Sequence, residues 1–104
     1  MTQFHHAKRL LVADLQLAVT GEYFDQMKSG EKEFEYRLQS DYWRKRLVNR
    51  EYDRLIITRG YPKRDDLSKR INIPYCGYEL QSITHKHFGP DPVNVFAINI
   101  RIEN

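Results

Sequence analysis

The segment that most restricts the fold runs from Val93 to Ile102. Phe96, Ile98, Ile100 and Ile102 alternate there with Val95, Ala97, Asn99 and Arg101. A period of two puts the first set on one face of a strand, and that face must be covered by something apolar. Shorter patterns of the same kind recur upstream. Val12 to Thr20 carries Leu15, Leu17 and Val19 on one face. Tyr52 to Thr58 contains Leu55-Ile56-Ile57, rich in β-branched side chains, and reads as a central strand. Lys32 to Leu38 sets Phe34, Tyr36 and Leu38 against Glu33, Glu35 and Arg37. Tyr78 to Lys86 alternates without a clean apolar face.

Helical periodicity is confined to two short pieces. In Gly21 to Lys28, Tyr23, Phe24 and Met27 recur at helical spacing, and Ser29-Gly30 supplies a stop. In Asp41 to Leu47, Asp41 is the expected cap and Leu47 lies four residues beyond Trp43. Gly60-Tyr61-Pro62 and Gly89-Pro90-Asp91-Pro92 read as breaks, and Lys63 to Arg70 as a polar loop or weak helix. Five or more short strands with two small helices predict an α+β fold, a small mixed β-barrel with helices over its open ends. Closing the sheet would remove edges that short strands otherwise expose. A chain of 104 residues has room for one such domain, residues 1–104, with 1–11 read as a flexible N-terminus.

Charge is unevenly spread. The net charge is +3, yet Asp41 to Arg70 holds ten basic side chains against five acidic ones, which leaves the remainder slightly acidic. A basic stretch of this kind is either the footprint of a polyanion or a solvated surface. Cys76 is the single cysteine, so no internal disulfide forms, which suits a cytoplasmic protein. No apolar run approaches the length of a membrane span, and no apolar signal core follows Met1, so no membrane partner is expected.

The densest chemistry lies in Ser29 to Arg37, where five charged residues surround Phe34 and Tyr36. Lys32 suits two tasks. It can hold a phosphate as a point charge, or act as a base if desolvation strips its proton. Glu35 and Arg37 share a strand face and can pair, and a carboxylate accepts well from the exocyclic amine of a base. Strict alternation would set Lys32 beside Phe34 and away from Glu35. Tyr36, Tyr42, Trp43 and Tyr61 interleave with Arg37, Arg44, Arg46 and Arg59. Flat rings beside guanidinium groups suit single-stranded bases, Tyr61 best of the four because it follows a turn, whereas Tyr36 and Trp43 suit the core. Thr58-Arg59 at a strand end fits a phosphate. His85 and His87, two apart on a strand, face the same way but lack partners for zinc, so His85 reads as a hydrogen-bonding or proton-carrying residue and no metal is expected. Glu79 is a further carboxylate available to such a site. There is no glycine-rich phosphate loop, CxxC pair or G-x-S-x-G elbow, and no cofactor is expected.

Gly30-x-Lys32-x-x-Glu35-x-Arg37 after a short helix resembles the signature of the ASCH domain (activating signal cointegrator homology), a branch of the PUA-like superfamily. Tyr42-Trp43-x-x-Arg46-Leu47, Thr58-Arg59-Gly60-Tyr61-Pro62, Ile83-Thr84-His85 and Val95-Phe96-Ala97-Ile98 are similar to blocks of small bacterial and phage members. The resemblance implies a β-barrel with a cleft beside the signature strand that binds RNA or a nucleotide. It also implies that Lys32 matches a lysine that is catalytic in the relatives that deacetylate N4-acetylcytidine; other relatives cut RNA. Glu35 stands where those amidohydrolases have threonine, which weakens the deacetylase expectation. The expected role is therefore binding of RNA, single-stranded nucleic acid or a modified nucleoside through Lys32, Glu35, Arg37, Tyr42, Arg46, Thr58, Arg59 and Tyr61. The rival is a hydrolase using Lys32, Glu35 and His85, and the third reading is a protein-binding adaptor.

Overall fold

Six strands and two helices follow one another in the computed structural model, which describes residues 13–102. They are β1 (Asp14–Val19), α1 (Gly21–Ser29), β2 (Phe34–Leu38), α2 (Asp41–Leu47), β3 (Arg54–Arg59), β4 (Arg70–Pro74), β5 (Tyr78–His85) and β6 (Gly89–Asn99). Single 3-10 turns at Leu67–Lys69 and Lys86–Phe88 precede β4 and β6. The strands pair as two three-stranded sheets, β1-β3-β4 and β2-β6-β5. β1 and β3 run parallel, in register from Asp14 opposite Arg54 to Val19 opposite Arg59. The crossover between them, α1-β2-α2, carries an edge strand of the other sheet, so one stretch of chain ties both sheets together. The fold is thus α+β. Residues 1–11, expected to be a flexible N-terminus, lie outside the described residues.

The alternation in β6 survives in the fold. Phe96, Ile98 and Ile100 are buried, together with Leu15, Leu17 and Val19 of β1 and Leu55 and Ile57 of β3. Phe24 and Met27 of α1 and Leu47 of α2 close the same core. Each fully buried side chain of this size contributes about 1.5–3 kcal/mol of burial free energy. Val95 and Ala97 are buried as well, so this part of β6 is covered on both faces.

Four local expectations need correction. Ser40, not Asp41, caps α2: its side chain accepts from Trp43 N at 3.4 Å, the geometry that an N-cap hydroxyl provides. Arg70 to Pro74 is a strand, not the tail of a loop. Ile71 and Ile73 alternate inward opposite Ile57 and Leu55, and Pro74 is tolerated at the end of an edge strand. Gly89 to Pro92 belongs to β6, and the reversal lies in Lys86–Phe88 just before it. β6 pairs with β2 only from Val95 onward, and its register against β5 shifts between Ile83 and His85. Pro90 and Pro92 therefore sit where few ladder bonds are required. Finally, the Phe34, Tyr36 and Leu38 face of β2 is not the buried one: Glu35 is buried, whereas Leu38 is exposed. The carboxylate is inward because two cations meet it there.

Candidate functional site

The site begins with two helix caps. Thr20 caps α1 and accepts from Tyr23 N at 3.4 Å, and Ser40 caps α2 in the same way through Trp43 N. Each hydroxyl satisfies an orphan N–H and fixes an aromatic residue three positions on. Both caps and both aromatics line one cavity of about 560 Å³. This volume is in the range of small-molecule sites. Tyr36, Tyr61, His85, His87 and Phe88 add further aromatic wall.

Three charges meet at one side of this cavity. Glu35 Oε2 accepts from Arg37 Nε at 3.1 Å and from Nη2 at 2.8 Å. Nη2 also donates to the carbonyl of Ala18 in β1 at 3.0 Å, which joins the two sheets across the site. Glu35 Oε1 faces Lys32 Nζ at 3.7 Å, close enough for an ion pair and too long for a hydrogen bond. Side-chain exposures of 8% for Glu35, 11% for Lys32 and 21% for Arg37 mark the group as desolvated. The three carry a net positive charge, and among the described residues Glu35 is the only carboxylate in the lining.

Lys32 reaches Glu35 because it is not part of the strand. Gly30 ends α1 with φ 89°, a left-handed value natural only to glycine, and its N–H bonds back to Met27 O. Lys32 N then donates to Gln26 O at 3.0 Å, folding the turn against the helix end. The side chain crosses the cavity between two rings, with Nζ 5.0 Å from the Tyr23 centroid and 4.6 Å from that of Tyr36. Both rings stabilise a cation through their faces. Burial pushes the ammonium below the usual lysine range. Glu35 opposes that shift, and Arg37 adds slightly to it.

His85 ends β5 with its ring 5.9 Å from Tyr23 and 6.0 Å from Tyr36. Its Nδ1 accepts from His87 N at 3.1 Å, an acceptor role that suits a neutral imidazole. Burial lowers its pKa, and the nearby charges of Lys32, His87 and Lys86 lower it further, with Glu35 opposing. The two histidines share the cavity wall but not a strand face, because His87 lies in the 3-10 turn. Among the described residues no group of three or more His, Cys, Asp or Glu is placed to hold a metal ion.

Of the residues singled out in the sequence, Lys32, Glu35, Arg37, Tyr61 and His85 converge on this cavity. Tyr42 and Thr58 line a second cavity of about 370 Å³, which shares Ala18, Arg37, Trp43 and Tyr61 with the first. Arg46 and Arg59 line neither. Arg46 stacks over the Tyr42 ring at 3.4 Å, on the exposed side of α2. Arg59 lies across Gly21, in the space that a Cβ would take, and pairs with Asp25 at 3.5 Å. Glu79 is exposed, accepts from Gln81 and lines neither cavity. Sequence reasoning missed Tyr23, Phe88 and Arg70 as lining residues. The Thr20-x-x-Tyr23 and Ser40-x-x-Trp43 spacings were the available signal for the capped aromatics. Comparison of the chain with protein-family models, with curated proteins and with solved structures gave no match. No helix among the described residues is long and apolar enough to cross a membrane.

Proposed function

We propose that the larger cavity holds a nucleobase, either as a free nucleoside or as one unit of RNA, in the manner of an ASCH-type, PUA-like domain. One observation carries this reading: the desolvated Lys32–Glu35–Arg37 group opens into an aromatic-walled space with room for a nucleoside. A base needs flat apolar faces and an edge of fixed donors and acceptors. Tyr36, Tyr61 and Trp43 supply the faces. Lys32 donates, and Glu35 Oε1, not hydrogen-bonded to the lysine, accepts. A base with an acceptor beside an exocyclic amine, such as cytosine, matches that pair. In this reading the two sheets are the walls of a PUA-like barrel.

Trp43 is the only tryptophan and lines the cavity, so its fluorescence reports entry of a ligand directly. Titration with the four ribonucleosides and N4-acetylcytidine is expected to give a saturable change for at least one. Lys32→Ala is expected to weaken that binding at least about tenfold, the cost of losing a charge-assisted hydrogen bond. No change with any nucleoside, or equal binding by the variant, contradicts the assignment.

A hydrolase in the same cavity is the second reading. It is favoured by the presence there of Lys32 and His85, both displaced toward their neutral, proton-accepting forms. On N4-acetylcytidine, one of them would take a proton from water as the hydroxyl adds to the acetyl carbon. That proton would pass to the leaving amine as the C–N bond breaks, releasing acetate and cytidine. Chromatography of the incubated nucleoside is the test. Turnover no greater than that of Lys32→Ala and Glu35→Ala proteins removes this reading for that substrate.

A further inference from the structure

The smaller cavity differs from the larger one in its charges. Its ionisable lining among the described residues consists of Arg37, Arg70, Tyr42 and Tyr61, with no carboxylate. Arg70 opens β4 opposite Thr58 and is half-buried. Its Nη2 donates to Lys63 O at 3.3 Å, while its Nε is buried without an acceptor among the described residues. No carboxylate lies within ion-pair distance of Arg70 among the described residues, in contrast to Arg37 and Arg59, which both have one. Arg37 uses Nε and Nη2 on Glu35 and Ala18, and its Nη1 has no acceptor among the described residues. A half-buried guanidinium without a counter-ion is costly to keep, and a planar, permanently charged fork is the group best suited to phosphate oxygens. The two cavities share Ala18, Arg37, Trp43 and Tyr61 in their linings and so lie side by side, as a ligand with two linked parts would require.

We infer that the smaller cavity takes a phosphate group attached to the nucleoside held in the larger one, with Arg70 as its main anchor and Arg37 bridging the two. The ligand class is then a nucleotide or an RNA unit and not a free nucleoside. This rests on the nucleobase reading of the larger cavity. It also moves the phosphate contact from Arg59, where the sequence suggested it, to an arginine that no motif marked.

Calorimetric titration of the intact protein with each ribonucleoside and with its 5′- and 3′-monophosphates tests the inference. At least one monophosphate is expected to bind about 10- to 100-fold more tightly than its own nucleoside, the usual gain from charge-assisted hydrogen bonds. Arg70→Gln is expected to erase that gain while binding the nucleoside as wild type does, which also shows that the variant is folded. Equal affinity of wild type for nucleoside and both monophosphates overturns the phosphate site and leaves the nucleobase reading standing. Parallel weakening of nucleoside and nucleotide by Arg70→Gln also overturns it, because Arg70 would then serve the fold or the base. If neither nucleosides nor monophosphates bind the wild-type protein, both readings fall together.

Discussion

The charges of this chain fall into two regions that look alike in sequence and differ in the fold. Lys32 and Arg37, both largely withdrawn from water, flank the buried carboxylate of Glu35 at 2.8–3.7 Å. The basic stretch from Asp41 to Arg70 is, by contrast, largely spent on the surface. Arg44 pairs with Asp41, Arg59 with Asp25 and Lys69 with Asp66, each at 3.5 Å and well exposed. Solvent screens such pairs, and their median contribution is close to zero. The buried group is different in kind, since every member was taken out of water and depends on the others. The difference teaches that burial, more than the local count of charges, marks the site. It also explains the assignment of a ligand to Arg70, which is half-buried like Arg54 but lacks the side-chain acceptor that Arg54 has in Asn72.

Three perturbations test that contrast, in descending size. Glu35→Ala leaves two cations without their counter-charge in a desolvated place, and is expected to lower stability by about 3–5 kcal/mol in denaturant titration. Glu35→Gln keeps the shape and one acceptor for Arg37, and is expected to lose about half of that. An effect below about 1 kcal/mol for Glu35→Ala would put the group on the same footing as the surface pairs.

Lys32→Met separates function from stability. Burial already works against the ammonium, and Glu35 retains Arg37, so stability is expected to stay within about 1 kcal/mol of wild type while nucleoside binding is lost. The same variant bears on His85. Its imidazole is held below the ordinary value of about 6.5, mainly by burial and next by Lys32. NMR titration of the ring is therefore expected to move upward in Lys32→Met without fully reaching that value. The sign for stability follows: the unfolded chain protonates first, so wild-type stability falls as the pH drops below about 6.5 and through the folded-state pKa. The loss is smaller in the variant. The smallest effect is expected at the surface, where Arg59→Ala and Asp25→Ala, singly or together, change stability by about 0.5 kcal/mol or less.

Much of the fold was legible because apolar periodicity is a local signal. Phe96, Ile98 and Ile100, and Leu15, Leu17 and Val19, occupy the buried faces that their spacing assigned. Ile71 and Ile73 carried the same signal, but the polar residues before them and Pro74 after them obscured a strand of five residues. The charged strand misled because its alternation was real and its direction was not. A carboxylate faces inward only when partners from elsewhere meet it, and the Ala18 carbonyl and the turn that re-aims Lys32 are tertiary facts. For the same reason Arg46 and Arg59 were chosen by motif context, while Tyr23 and Arg70, which line the cavities, were not.

Two-dimensional amide NMR of the protein titrated with a short single-stranded RNA tests the central claim most directly, because it reports on both regions at once. If buried charge defines the site, the shifts concentrate at Lys32, Glu35, Tyr36, Trp43 and His85, with Arg70 joining them, and the amides of Arg44, Lys45 and Arg64 barely move. Shifts confined to Arg44–Arg50 and Lys63–Lys69, vanishing with added salt while the cavity residues stay still, would mean that the surface charge is the functional region.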